Sequence, residues 1–219
     1  MQTGPDQIVR CPACGALGSY HTLLSGNTFG ARYFTDGECV APMWEAPPLV
    51  VRCGRCRNAF WLEDAEEVGT VDPIGRSNPP VDPAWNAALG LVELDEAGYL
   101  DWLDRLIAAK PDAERVLRLR VWRLGNDPYR QASGEAHTPQ PAPSAAREAN
   151  MRAVLPLLDD ADPTATLVRA DVLRQLGEFD GALAVLETPL PEAYAPVVQQ
   201  FRALCEARER GVRELKEVG

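Results

Sequence analysis

Through the first 71 residues apolar side chains come in short runs that alternate with polar ones, whereas beyond residue 85 they recur every three or four positions. The first rhythm belongs to strands and the second to helices. Ala31-Arg32-Tyr33-Phe34-Thr35 is rich in β-formers, and Asp36-Gly37 after it is a hairpin-turn signal. Glu38-Cys39-Val40-Ala41 predicts the returning strand, which Pro42 ends. Leu49-Val50-Val51-Arg52 and Ala59-Phe60-Trp61-Leu62 predict two more strands of a small antiparallel sheet.

Residues 72–83 carry four prolines and read as a linker. Beyond it Leu100, Leu103, Leu106 and Ile107 form one helical stripe, which Pro111 ends, leaving Asp112 to cap the next helix. That next helix sets Val116, Leu117, Leu119, Val121 and Leu124 among Arg115, Arg118, Arg120 and Arg123. Asp95, Glu96, Asp101 and Asp104 on the preceding helix offer these arginines an antiparallel acidic partner. Residues 125–144 break the pattern with a Pro-rich connection. A helix over 145–158, kinked at Pro156, and another over 196–209 with Val197, Phe201, Leu204 and Cys205 on one face flank the segment 167–186.

Composition narrows the function classes. The 219 residues hold 32 acidic and 22 basic side chains, for a formal net charge of -10, and are 46% hydrophobic. Such acidity disfavours a general nucleic-acid binder, which needs a basic face. No apolar run approaches the roughly 18 residues of a membrane span, and the first residues show neither the basic nor the apolar part of a secretory signal. The expected compartment is the cytoplasm, where thiols stay reduced.

Four of the six cysteines stand in two C-x-x-C pairs, Cys11-Pro12-Ala13-Cys14-Gly15 and Cys53-Gly54-Arg55-Cys56. In a reducing compartment two such pairs predict a four-thiolate site, because two intervening residues let one tight turn present both sulfurs to a tetrahedral ion. Structural Zn2+ is the expected occupant; a single iron uses the same ligands. Gly15 and Gly54 are the residues expected to supply positive φ in these turns. A redox pair would need a strand–helix context that neither motif has, and catalytic zinc would need an exchangeable position. Cys39 and Cys205 read as small buried hydrophobes.

Arg10, Arg52, Arg55 and Arg57 crowd the two motifs, while Arg32 is the only other basic residue before position 70. They are a candidate anion patch, and equally suited to offset a thiolate cluster whose net charge with a divalent ion is near -2. The polar 25–32 loop, with Asn27 and Arg32, is a candidate recognition loop or a turn that packs Phe29 beneath the sheet. No acid–base pair or Ser–His arrangement marks a catalytic site, so a non-catalytic protein is expected.

The Cys-Pro-x-Cys-Gly form resembles the knuckle of zinc ribbons; the second motif departs by carrying Arg57 where the first has Gly15. Residues 167–186 resemble a tetratricopeptide repeat, with Ala170 and Ala182 as small interface residues, Gly177-x-Phe179 at the turn and Leu186 on the second helix. That resemblance implies a peptide-binding groove faced by Asp171, Arg174 and Gln175. The combination of a four-cysteine ribbon with such helices resembles an uncharacterised bacterial family, implying a shared domain arrangement and no activity. The expected fold is therefore α+β and multidomain: a zinc-ribbon β domain over 1–71, a linker over 72–84 and a helical TPR-like domain over 85–219. The expected function is protein–protein interaction or adaptor work with another protein or peptide. The alternative is a nucleic-acid-associated regulator contacting phosphate through the ribbon arginines. In this modular picture, Cys53→Ser unfolds residues 1–70 and spares the helical signal.

Overall fold

The computed structural model describes residues 2–72, 82–130, 139–159 and 161–216. It is α+β, with small sheets in the N-terminal half and helices after them. Contacts divide it into two compact units whose membership does not follow a single cut along the chain: Met1–Gly30 with Ala41–Ala109, and Ala31–Val40 with Lys110–Gly219. The 85–109 stretch thus clusters with the first 30 residues rather than with the later helices, and the 31–40 hairpin clusters with those helices. Most of the expected linker, residues 73–81, lies outside the described residues, as does 131–138 of the Pro-rich connection.

In the first unit a four-stranded sheet runs in the order Leu89–Gly90, Leu17–Tyr20, Asp6–Arg10, Glu66–Val71. Its pairings are antiparallel except at the outer strand, where Leu89–Gly90 lies parallel to Leu17–Tyr20, so the expected all-antiparallel sheet is mixed. A second sheet, all antiparallel, orders Val92–Glu93, Val50–Arg52, Ala59–Trp61. One short segment, residues 89–93, therefore adds an edge to both sheets. Three glycines make room for this returning chain. A Cβ on Gly18 would sit 2.6 Å from Leu91, one on Gly54 2.9 Å from Leu89, and one on Gly69 would collide with the Trp85 ring.

Asp95 begins the Glu96–Ala109 helix by accepting a hydrogen bond from the Gly98 amide at 2.8 Å. Leu103 and Leu106 of the stripe expected from spacing are buried, Leu100 and Ile107 are half-buried, and Tyr99, outside that stripe, completes the buried face. Tyr99 Oη donates to Glu93 at 2.9 Å and accepts from the Val50 amide at 3.3 Å, and Trp61 Nε1 donates to the Leu106 carbonyl at 3.3 Å. These bonds fasten the helix to the second sheet and satisfy two large aromatics that would otherwise bury polar atoms unpaired. The core between the sheets is Val9, Cys11, Val51, Cys53, Phe60 and Leu62.

In the second unit the helices Glu114–Leu124, Ala145–Val154, Pro163–Leu176, Phe179–Val185 and Ala195–Glu206 surround two apolar clusters. One holds Trp122, Met151, Val154, Val168 and Val172; the other holds Ala170, Leu186, Val197 and Phe201. Asp112 does not cap the first of these helices. It lies in a 3-10 turn, Pro111–Ala113, and Ala113 occupies the cap position with no side-chain bond. Pro156 bends the chain as expected, into a 3-10 turn directly after Val154. Gly177 (φ 87°) ends the Pro163–Leu176 helix, with its amide bonded to the Arg174 carbonyl and the next amide to Leu173. Ala170 and Ala182 are fully buried. Among the described residues no helix is long and apolar enough to cross a membrane.

The hairpin of Arg32–Tyr33 with Cys39–Val40 turns at the expected Asp36-Gly37, Gly37 taking φ 74°. Its tip is deeply seated: Phe34, Thr35 and Asp36 are 2%, 3% and 0% exposed. Arg120 and Arg123 of the basic helix meet Glu38 of this hairpin at 3.8 and 3.7 Å, and Arg118 meets Glu114 at 2.7 Å. Acid for Arg120 and Arg123 thus comes from a hairpin more than 80 residues away in sequence, a source that helix spacing does not reveal, whereas Arg118 uses Glu114 of its own helix.

Candidate metal centre

Cys11 follows the Asp6–Arg10 strand and Cys53 follows the Val50–Arg52 strand, so each motif is the turn at a strand end. The two turns share one hydrogen-bond scheme. The Cys11 amide donates to the Ala16 carbonyl at 2.9 Å and its carbonyl accepts from the Gly15 amide at 2.9 Å. The Cys53 amide donates to Asn58 at 3.0 Å and its carbonyl accepts from Arg57 at 3.0 Å. Gly15 sits at φ 70° and Arg57 at φ 65°. The second turn therefore keeps the backbone of the first in spite of its arginine. Gly54 is not a positive-φ residue; its missing side chain admits Leu89 instead.

This scheme brings four sulfurs together. The Sγ atoms of Cys11, Cys14, Cys53 and Cys56 all lie within 4.8 Å of one another. Cys11–Cys56 and Cys14–Cys53 are each 3.8 Å apart, and all four thiols are free. A tetrahedral ion with metal–sulfur bonds of about 2.3 Å sets its ligand sulfurs about 3.8 Å apart, so the cluster fits a four-thiolate ion. Cys11 and Cys53 are buried while Cys14 is exposed.

Burial pushes the Cys11 thiol up to about 12, against the amides of Ala13 and Cys14 directed at its sulfur. Burial acts the same way on Cys53, but there the amides of Cys56 and Arg55, together with hydrogen bonds from the Cys56 and Cys11 thiols, outweigh it and bring the thiol down to about 7. Each motif thus aims the amides two and three residues past its leading cysteine at that sulfur, which stabilises a thiolate. Packing all four as anions requires a cation among them.

The arginines have different surroundings. Arg10 is paired with Glu66 at 3.0 Å and donates to the Gly15 carbonyl at 3.3 Å, steadying the first turn. Arg55 and Arg57 are exposed. Arg52 is half-buried, and its Nε is buried without a hydrogen-bond partner. Arg52 and Arg57 line a pocket of about 320 Å³ beside the second turn, but Glu93 and Asp95 line it too. Its charge is mixed rather than basic.

The other candidate residues do not form one site. Asn27 is exposed and accepts from the Phe29 amide at 3.0 Å, closing its own turn. Arg32 lies in the other unit, bonded to Glu214 at 2.7 Å and stacked over Phe34 at 5.1 Å. Phe29 is 78% exposed, so it does not pack beneath the sheet. Cys205 is buried as expected, whereas Cys39 is only half-buried. Asp171, Arg174 and Gln175 face no groove, being 0%, 0% and 2% exposed. Asp171 accepts from Arg174 Nε at 3.0 Å and from Gln175 at 2.8 Å, and Gln175 accepts from Trp122 Nε1 at 3.1 Å. Arg174 further donates to the Gly211 carbonyl at 2.9 Å. The repeat resemblance places these residues on a groove because it takes no account of the 209–213 segment, whose Glu209 and Gly211 carbonyls accept from Arg174.

A second buried polar centre escaped sequence reading altogether. Asp36 accepts from Asn126 Nδ2 at 2.7 Å and from Arg130, and its carbonyl accepts from Arg123 Nε at 3.1 Å. The only signal was an acid at a turn flanked by Phe34, which looked like ordinary turn chemistry.

The chain matches no family model, no curated protein and no solved structure.

Proposed function

We propose that this chain is a non-catalytic interaction or adaptor protein whose N-terminal unit is a zinc ribbon held by Cys11, Cys14, Cys53 and Cys56. The observation that carries the reading is the convergence of four free thiols at spacings a tetrahedral ion requires. Four thiolates close the coordination sphere and leave no open position for substrate, which supports a structural rather than a catalytic ion, with zinc the expected occupant. When bound, the ion supplies cross-linking of the two turns; the surrounding sheets have too small an apolar core to hold them unaided.

Interaction is supported by exposed apolar side chains on the same unit. Leu24, Phe29 and Trp44, exposed at 63%, 78% and 51%, flank the bridge between Asn27 and Met43. The helical pair at Pro163–Leu176 and Phe179–Val185, with its buried alanines and left-handed Gly177, supports the TPR-like reading of the second unit. Its groove would lie elsewhere than at Asp171. Affinity capture from the native cytoplasm tests the reading: a protein that co-purifies with the wild type and not with a Phe29→Ser, Trp44→Ser double variant is the expected result. Equal recovery with both would remove this surface from the proposal.

The second reading, a nucleic-acid-associated regulator, draws on the exposed Arg55 and Arg57 and the unpartnered Nε of Arg52. Phosphate contacts lose affinity steeply with salt, so binding that persists unchanged between 50 and 200 mM salt, concentrations about where such losses reach a thousandfold, decides against it.

A further inference from the structure

We propose that occupancy of the four-thiol site and stability of the helical unit are thermodynamically linked through residues 31–40, an inference that rests on the metal reading above. The chain contributes 2–30 to the first unit, supplies Ala31–Val40 to the second, and returns to the first at Ala41. This excursion lies wholly inside the 38-residue stretch between Cys14 and Cys53, the loop that an ion at the site closes.

The hairpin is a structural part of the helical unit. The Thr35 amide donates to the Arg213 carbonyl at 2.8 Å, and the Leu215 amide donates to the Tyr33 carbonyl at 2.7 Å. Thr35 Oγ1 accepts from Arg174 Nη2 and from the Arg213 amide, each at 3.2 Å. Asp36 answers Arg130 and Asn126. Arg32 and Arg130 lie over the Phe34 ring at 5.1 and 5.6 Å. Withdrawing the tip takes the Asp36 carboxylate from Asn126 Nδ2 and Arg130, the Asp36 carbonyl from Arg123 Nε and the Thr35 hydroxyl from the Arg213 amide, a loss the helical unit does not tolerate at small cost.

Closing the 14–53 loop removes conformational freedom from every residue inside it. An ion at the thiols therefore raises the effective concentration of the hairpin at its seat, as a tether does. Linkage is reciprocal: a seated hairpin holds the two cysteine pairs nearer each other and raises metal affinity by the same factor. The modular expectation that losing the metal spares the helices is replaced by a graded coupling.

Hydrogen exchange of the full-length protein, followed by mass spectrometry on peptides from Pro163–Leu176, tests this with Co2+ as both ligand and spectroscopic probe. Exchange of these amides is expected to slow about tenfold when Co2+ is bound, within the usual range for coupled sites. A Cys14→Ser, Cys53→Ser double variant should show no such response. Thr35→Ala should weaken Co2+ binding several-fold while leaving the tetrahedral charge-transfer band in place. A normal band with unaltered exchange would overturn the linkage and leave the metal site standing. Absence of any thiolate–Co2+ band would overturn both, and identifies the metal reading as the part that failed.

Discussion

Gly15 and Arg57 occupy equivalent places in the two cysteine turns, each following the second cysteine in a left-handed conformation, at φ 70° and 65°. Each donates its amide to the carbonyl of the leading cysteine, Cys11 or Cys53. A side chain at that φ costs roughly 1–2 kcal/mol, and glycine removes most of it at some cost in chain entropy. Arg57→Gly is therefore expected to stabilise the metal-loaded protein by about 0.5–1 kcal/mol, whereas Gly15→Ala should destabilise it by about 1 kcal/mol. Urea midpoints of the two variants measure this. A loss of stability on Arg57→Gly would mean that the arginine contributes a contact outweighing its backbone strain.

The cluster predicts a definite stoichiometry. Wild-type protein purified under reducing conditions should carry one zinc per chain by elemental analysis, and Ser at position 11, 14, 53 or 56 should each lower retention by at least an order of magnitude. A red, iron-containing preparation would reassign the ion while keeping the ligands. Metal retained in full by Cys53→Ser would show that the four sulfurs do not act together.

Metal affinity should depend on pH with a fixed sign. Burial holds the Cys11 thiol up near 12, so its proton must be displaced by the ion at any neutral pH. Cys53, its burial outweighed by the amides of Cys56 and Arg55 and by hydrogen bonds from the Cys56 and Cys11 thiols, loses its own proton near 7. Cys56 is likewise held above the ordinary thiol value, so it too gives up a proton to the ion. Apparent affinity therefore rises with pH, by about tenfold per unit for each displaced proton, and more steeply below 7, where Cys53 adds a further one. Competition titrations with a chelating dye at pH 6, 7 and 8 give the slope. A flat profile would show that the sulfurs are not binding as displaced thiols.

How much of this was legible in the sequence follows the range of the interactions. The two C-x-x-C pairs that come together, the Asp36-Gly37 turn and the Leu103–Leu106 face are local patterns, and spacing revealed them. Gly54 was misassigned because nothing local distinguishes a glycine that takes positive φ from one that admits Leu89 across 35 residues. Arg57 was treated as a departure because propensity weighs a residue type, while closure of the turn around Cys53 outweighs that preference. The membership of the hairpin was hidden for a related reason: β-propensity marks 31–40 as strands, but the donors that seat Asp36 lie at 123–130. Asp171, Arg174 and Gln175 look like a solvated face until the chain at 209–213 covers them.

That covered network yields the last prediction. Asp171 and Arg174 are both fully buried, and burial pushes the Asp171 carboxyl up while the Arg174 charge opposes it. Removing one member of such a pair strands the other: Asp171→Ala leaves the Arg174 guanidinium buried without its counter-charge, at an expected cost of about 3–5 kcal/mol. Asp171→Asn keeps an acceptor for Arg174 but sets an amide donor against Gln175, and should cost less than the alanine. Adding Arg174→Met to Asp171→Ala removes the stranded charge and should recover a large part of the loss, a non-additivity readable from urea unfolding as a double-mutant cycle. Simple additivity of the two substitutions would show that Arg174 is held by the Gly211 carbonyl and its other acceptors rather than by the carboxylate.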